Sequence, residues 1–124
     1  MTRALTLHAG WAHAVAHLGK DVENRTWAPP KAILGQRIAI HAGSTRGVFD
    51  APGAVRSAIV ATAVVREVVT ASESRWWIGP VGWVLSDVRA LRNPVPCSGA
   101  LKLWTLTDEI AALVAAEDAA NAER

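Results

Sequence analysis

Between Ala58 and Val69 the chain is almost wholly valine, isoleucine and alanine, with no 3.6-residue period. β-Branched side chains are restricted about χ1 and pack well on a pleated surface, so this density predicts a long, bent strand rather than a helix. Other segments have the same character. Arg3 to Leu7 alternates as a short strand. Gly10 opens a helix whose Trp11, Val15 and Leu18 recur at i, i+4 and i+7, and Gly19 suits its end. Asp21 to Trp27 reads as a strand with Asp21, Glu23, Arg25 and Trp27 on one face and Val22, Asn24 and Thr26 on the other, stopped by Pro29 and Pro30.

Arg37 to Ala42 follows as a strand burying Ile38 and Ile40, with His41 opposite, and Gly43 to Gly53 is a loop. Gly79, Pro80 and Gly82 mark a turn. Trp83 to Leu91 is a strand, Asn93 to Pro96 an extended connection, and Leu101 to Trp104 a last short strand. Thr107 caps a terminal helix with Asp108 and Glu109 in its first turn and Ile110, Leu113 and Val114 as its apolar stripe, expected to fray beyond Ala116. Six strand segments and two helices predict an α+β chain, mainly β: a small mixed sheet closing into a barrel over 1–106, with an acidic C-terminal helix, 107–124, packed on or extending from it.

The 124 residues, 51% of them hydrophobic, suit one compact domain with its own core. Cys97 is the single cysteine, which leaves no internal disulfide and no Cys-rich metal site and makes a reducing, cytoplasmic setting the simplest expectation. The longest nearly unbroken apolar run, Ala58 to Val65, falls far short of the roughly 20 residues a spanning helix needs, so no membrane is expected. Arg3 and the small residues Ala12 to Ala14 faintly suggest a secretory signal, but His8 and His13 interrupt it. Charge is unevenly spread. Residues 1–106 hold 12 bases against six acids, whereas 107–124 hold five acids and only Arg124. Ten of the 13 bases are arginine, which combines bidentate phosphate binding with stacking on flat groups.

The densest chemistry is Gly19 to Trp27. On one continuous strand, Glu23, Arg25 and Trp27 would make a polar-aromatic platform on which an indole stacks a base, a contact worth about 1 to 3 kcal/mol in single-strand binders. A solvated face with a weak Glu-Arg pair is the plainer alternative. Of the six tryptophans, Trp11, Trp76, Trp77, Trp83 and Trp104 read mainly as core or rim packing. His13 and His17 stand at i, i+4, but Ala14 occupies the place of the glutamate in His-Glu-x-x-His, so no metal is expected. His41 is either a donor to a phosphate or base, or a satisfied barrel histidine. Gly43-Ser44-Thr45-Arg46-Gly47 follows a strand and reads as a flexible loop within reach of a phosphate, without the lysine of a P-loop.

These motifs, in this order, resemble the ASCH domains of the PUA-like superfamily of small β-barrels. The resemblance rests on Trp11, Gly19 to Trp27, Arg37 to Gly43, the strand from Ala58, Trp77 to Leu85 and Gly99 to Trp104. It implies a cleft near the first helix and the Lys20 to Trp27 segment that accepts RNA or a nucleotide-like ligand. Lys20, Glu23, Arg25, Trp27 and His41 line it, with Trp11, Asn24 and Ser44 among the ligand-binding candidates. The chain departs from many relatives in having Ala9-Gly10 where they have Gln-Pro, and Ser44 where they have a lysine. One branch of the family removes an acyl group from modified cytidine with a lysine, a threonine three residues later and a distant glutamate. Lys20 matches the lysine, Glu23 replaces the threonine, and Glu67 is the candidate for the distant acid.

The sequence therefore points first to a binding module for RNA, a nucleotide or a modified nucleoside, without cofactor, metal or membrane. A small hydrolase using Lys20 and Glu23, either a modified-nucleoside amidohydrolase or a ribonuclease, is the second reading, weakened by the missing hydroxyl nucleophile. An adaptor that docks proteins through exposed tryptophans is the third.

Overall fold

The computed structural model describes residues 1–45, Gly47, Phe49 and 51–122. Arg46 of the glycine-bounded loop, and Glu123 and Arg124 of the acidic tail, lie outside the described residues. The elements in order are β1 (Arg3–Leu7), α1 (Ala9–His17), β2 (Val22–Arg25), a 3-10 turn (Lys31–Ile33), β3 (Arg37–Ala42), β4 (Ala58–Val69), β5 (Val81–Pro96), β6 (Leu103–Thr105) and α2 (Asp108–Ala122). The strands form one curled sheet, a half-barrel, in the order β2-β5-β4-β3-β1-β6. β1 and β3 run parallel and the other pairs antiparallel.

β4 is the long strand expected from its composition, and its pairing with β5 slips register at three places. Each slip inserts unmatched residues, which bends the strand and raises local twist. Both faces of the sheet are covered, which accounts for the unbroken apolar run. Toward α1 lie Leu5, Leu7, Ile38, Ile40, Val65, Trp83 and Leu85 with Ala12 and Val15 of the helix. Toward α2 lie Ala4, Ala39, Ile59, Leu91 and Val95 with Val114.

The bounds of β2, β5, β6 and α2 differ from those read in the sequence, and for β2, β5 and α2 the reason lies in segments distant along the chain. β2 ends at Arg25, and Thr26 and Trp27 bend away, because the partner segment of β5 begins only at Val81, opposite Arg25. β5 continues through Asn93 to Pro96, where Val95 and Pro96 pair with Ile59 and Ala58. Beyond Leu85, whose amide bonds the Asp21 carbonyl, no strand of the described residues pairs with the other side of β5, so the prolines withdraw donors only from that edge. β6 begins at Leu103 rather than Leu101. α2 runs past Ala116 to Ala122 because its last turns are held to β5 by polar contacts: Arg89 to Asp118 at 2.9 Å, Asn93 to Glu117 at 3.1 Å, and Asn121 to the Ala90 carbonyl. Thr107 caps the helix as expected, accepting from the Ile110 amide at 3.3 Å. No helix among the described residues is long and apolar enough to cross a membrane.

Candidate functional site

Gly19 takes φ +77°, the left-handed conformation that lets a chain leave a helix, and the Lys20 amide returns to the Ala14 carbonyl at 3.1 Å. The turn delivers the Lys20 side chain inward, to 2% exposure. There its ammonium donates to Glu23 Oε1 at 2.8 Å and to the Val22 carbonyl, and sits 5.5 Å from the Trp11 ring centroid. Glu23, also buried, accepts from Arg25 Nε at 3.0 Å through its other oxygen. Arg25 in turn donates from Nη2 to the Thr6 carbonyl at 2.9 Å, tying β2 to β1. The result is a row of alternating charges, lysine, carboxylate and guanidinium, of net +1. A buried charge is tolerated only when paired and hydrogen-bonded, and both ends of this row meet that condition.

Arg25 opens onto a cleft of about 680 Å³. The ends of β1, β2 and β3 form its floor through Thr6, Arg25 and His41, and the segments Gly43–Thr45 and Ser98–Lys102 form its walls. His41 is 1% exposed, and its Nε2 lies 2.8 Å from the Cys97 carbonyl, so Nε2 carries the proton. Nδ1 is then the acceptor, 3.2 Å from Thr6 Oγ1, and that hydroxyl accepts the Trp104 indole N–H at 3.0 Å. The chain Trp104, Thr6, His41, Cys97 is thereby saturated and makes a rigid floor. Burial pushes the Cys97 thiol above its ordinary pKa, against a smaller opposing effect of a hydrogen bond with the Ile59 backbone. The free groups are different ones. Arg25 Nη1 and the hydroxyls of Ser44, Thr45, Ser57 and Ser98 bond no described residue, Lys102 adds a second cation, and no carboxylate lines the cleft among the described residues.

The structure brings together three of the residues singled out in the sequence: Arg25, His41 and Ser44 line the cleft. Lys20 and Glu23 lie buried behind Arg25 and are absent from the described lining, which corrects the expectation of an open carboxylate and amine. Trp11 stacks on Phe49 with ring centroids 4.6 Å apart and meets Trp76 edge-on. Asn24 is a latch: Oδ1 accepts from the amides of Ile78 and Gly79 at 2.9 Å each, and Nδ2 donates to the Trp76 carbonyl at 3.0 Å. Trp27 packs against the core, edge-on to Trp83 at 4.9 Å, while its carbonyl accepts the Trp83 indole N–H. The continuous Glu23-Arg25-Trp27 platform therefore does not form, since the strand ends before the indole. Glu67 is exposed beside Arg66, away from the cleft.

Sequence reasoning passed over Thr6, His8, Ser57, Ser98 and Lys102. Their only signal is position at strand ends, and which ends meet is decided by the strand order.

No protein-family model and no curated protein matches the chain in sequence. Solved structures do match it in shape. The crystal structure of ASCH from Zymomonas mobilis superposes with a TM-score of 0.62 at 20% identity, over 93% of this chain and 94% of that one. A serine-to-alanine mutant of the same protein gives 0.62 at 19% over 93% and 94%, and a tyrosine-to-phenylalanine mutant 0.62 at 20% over 93% and 96%. The fold is the ASCH fold. Within it, Ala9-Gly10 has a local reason: a Cβ on Gly10 would lie 1.7 Å from the Phe49 carbonyl oxygen, so the loop that seats Phe49 on Trp11 requires glycine there. The first amide of α1, Ala9, donates to the Thr45 carbonyl at 3.0 Å and holds the same loop at the cleft rim.

Proposed function

We propose that this chain is a binding module that holds single-stranded RNA or a nucleotide by a phosphate in the Arg25 cleft. One observation carries the reading: a guanidinium fixed by Glu23 and Thr6, whose Nη1 bonds no described residue, faces a cavity whose described lining offers hydroxyls and Lys102 but no acid. A phosphate oxygen is the natural acceptor for such a group, and pre-organisation lowers the entropic cost of binding. The ASCH fold of the neighbouring structures agrees with a nucleic-acid role. The hydrolase alternative needs Lys20 and Glu23 to meet substrate, yet each neutralises the other and both Glu23 oxygens are occupied.

The test is an anisotropy titration of a fluorescein-labelled single-stranded RNA. Arg25→Ala is expected to weaken binding about tenfold, roughly 1.4 kcal/mol, with Lys31→Ala, an exposed cation outside the described lining, unchanged. Equal affinities for wild type and Arg25→Ala reject the site. Turnover of acylated cytidine that disappears in Glu23→Gln would restore the hydrolase.

A further inference from the structure

A base is stacked by a flat π-face and told from other bases at its edge by arginine, lysine, amide or carboxylate side chains, whereas a serine hydroxyl contacts any base. With Arg25 and Lys102 assigned to the phosphate, discrimination here would need an aromatic ring, an amide or a carboxylate. The described lining of the cleft contains no tryptophan, phenylalanine, asparagine, glutamine, aspartate or glutamate. Its two rings are imidazoles. His41 has both nitrogens engaged and lies edge-on to Trp104, and His8 is an exposed ring at the rim, which would stack any base without telling one from another. The half-buried Trp11 stacks on Phe49 and the half-buried Trp27 packs edge-on against Trp83, and neither is in the described lining.

The groups that remain match something else. Hydroxyl side chains donate and accept, as ribose hydroxyls do, and Ser44, Ser57 and Ser98 line the same cleft as Arg25 and bond no described residue.

We infer that the cleft recognises a phosphorylated pentose and leaves the base outside, so that it binds nucleotides without regard to their base. The inference rests on the phosphate site proposed above and narrows its ligand. The same chemistry occurs in a free sugar phosphate and in the backbone of RNA, and the experiment separates them.

Calorimetry on the full chain compares ribose 5-phosphate, the four ribonucleoside 5′-monophosphates, adenosine and inorganic phosphate. Ribose 5-phosphate and the four monophosphates are expected to bind within about threefold of one another, with adenosine at least 30-fold weaker. Arg25→Ala lowers the affinity for all the phosphorylated ligands by a common factor near tenfold. The double variant Ser44→Ala/Ser98→Ala weakens ribose 5-phosphate about fivefold and leaves inorganic phosphate unchanged.

A tenfold preference for one base overturns the inference, as does inorganic phosphate binding as tightly as ribose 5-phosphate. Monophosphates that bind while ribose 5-phosphate does not also overturn it, and in that case the phosphate site itself survives. Abasic RNA binding as well as base-bearing RNA identifies the backbone as the ligand. Ribose 5-phosphate bound with no RNA bound supports the pentose site and removes the RNA reading. If no phosphorylated ligand binds, both fall.

Discussion

Lys20 shows how one residue can be chosen for the right reason and placed wrongly. A lysine at the head of a polar segment ordinarily reaches solvent, and only Glu23 three positions later hints at an internal pair. Burial changes its role from ligand contact to support. Removing one partner of a buried pair strands the other charge, so Lys20→Met is expected to cost about 3 kcal/mol of stability by urea denaturation. A loss under about 1 kcal/mol would mean that the ammonium is not buried against Glu23. His13 gives a second expectation. Burial, and then the neighbouring His17, hold its pKa below 6.5, so the fold favours the neutral ring. Its contribution to stability is full above the unfolded histidine value of 6.5 and is lost as pH falls from there through the lower folded value. His13→Gln should flatten the part of the stability curve that declines below pH 6.5, and an unchanged slope would contradict the assignment.

At the level of elements, composition spoke for β4 and for the cap of α2, since both are decided by adjacent residues. The end of β2 is set by the start of β5 some 55 positions on, and the tolerance of β5 for Pro94 and Pro96 depends on having no neighbour there; neither is a local property. α2 shows the same dependence. Its stripe of Ile110, Leu113 and Val114 ends early, and Leu113 is half exposed, so apolar burial alone would let the last turns fray. Asp118 prevents that by accepting from Arg89 at 2.9 Å and from Thr62 Oγ1 at 2.9 Å. Replacing it removes two charge-assisted bonds at a partly buried point, so Asp118→Ala should cost about 1 to 2 kcal/mol. Amide exchange should localise that loss to Glu117–Ala122. Protection there equal to wild type would show that the helix end is held otherwise.

At the scale of the molecule, Arg25 joins architecture to function, because the guanidinium that ties β2 to β1 across the end of the half-barrel also faces the cleft. The basic excess of residues 1–106 is therefore a poor guide to where a polyanion would sit. Most arginines are exposed or engaged elsewhere: Arg37 and Arg89 pair with Asp87, and Arg75 lies over Trp76 at 4.8 Å. Only Arg25 and Lys102 among the described lysines and arginines line the cleft. Two phosphate contacts on a single strand release few counterions, giving a log–log slope of affinity against salt of about −1.4. Arg25→Ala should halve it to about −0.7. A duplex-binding surface spread over the arginines would instead fall far more steeply. Titrations of labelled single-stranded RNA across a range of salt concentrations decide between them: a slope of about −4 or beyond, insensitive to Arg25→Ala, would place binding on the outer basic surface and leave the cleft without its ligand.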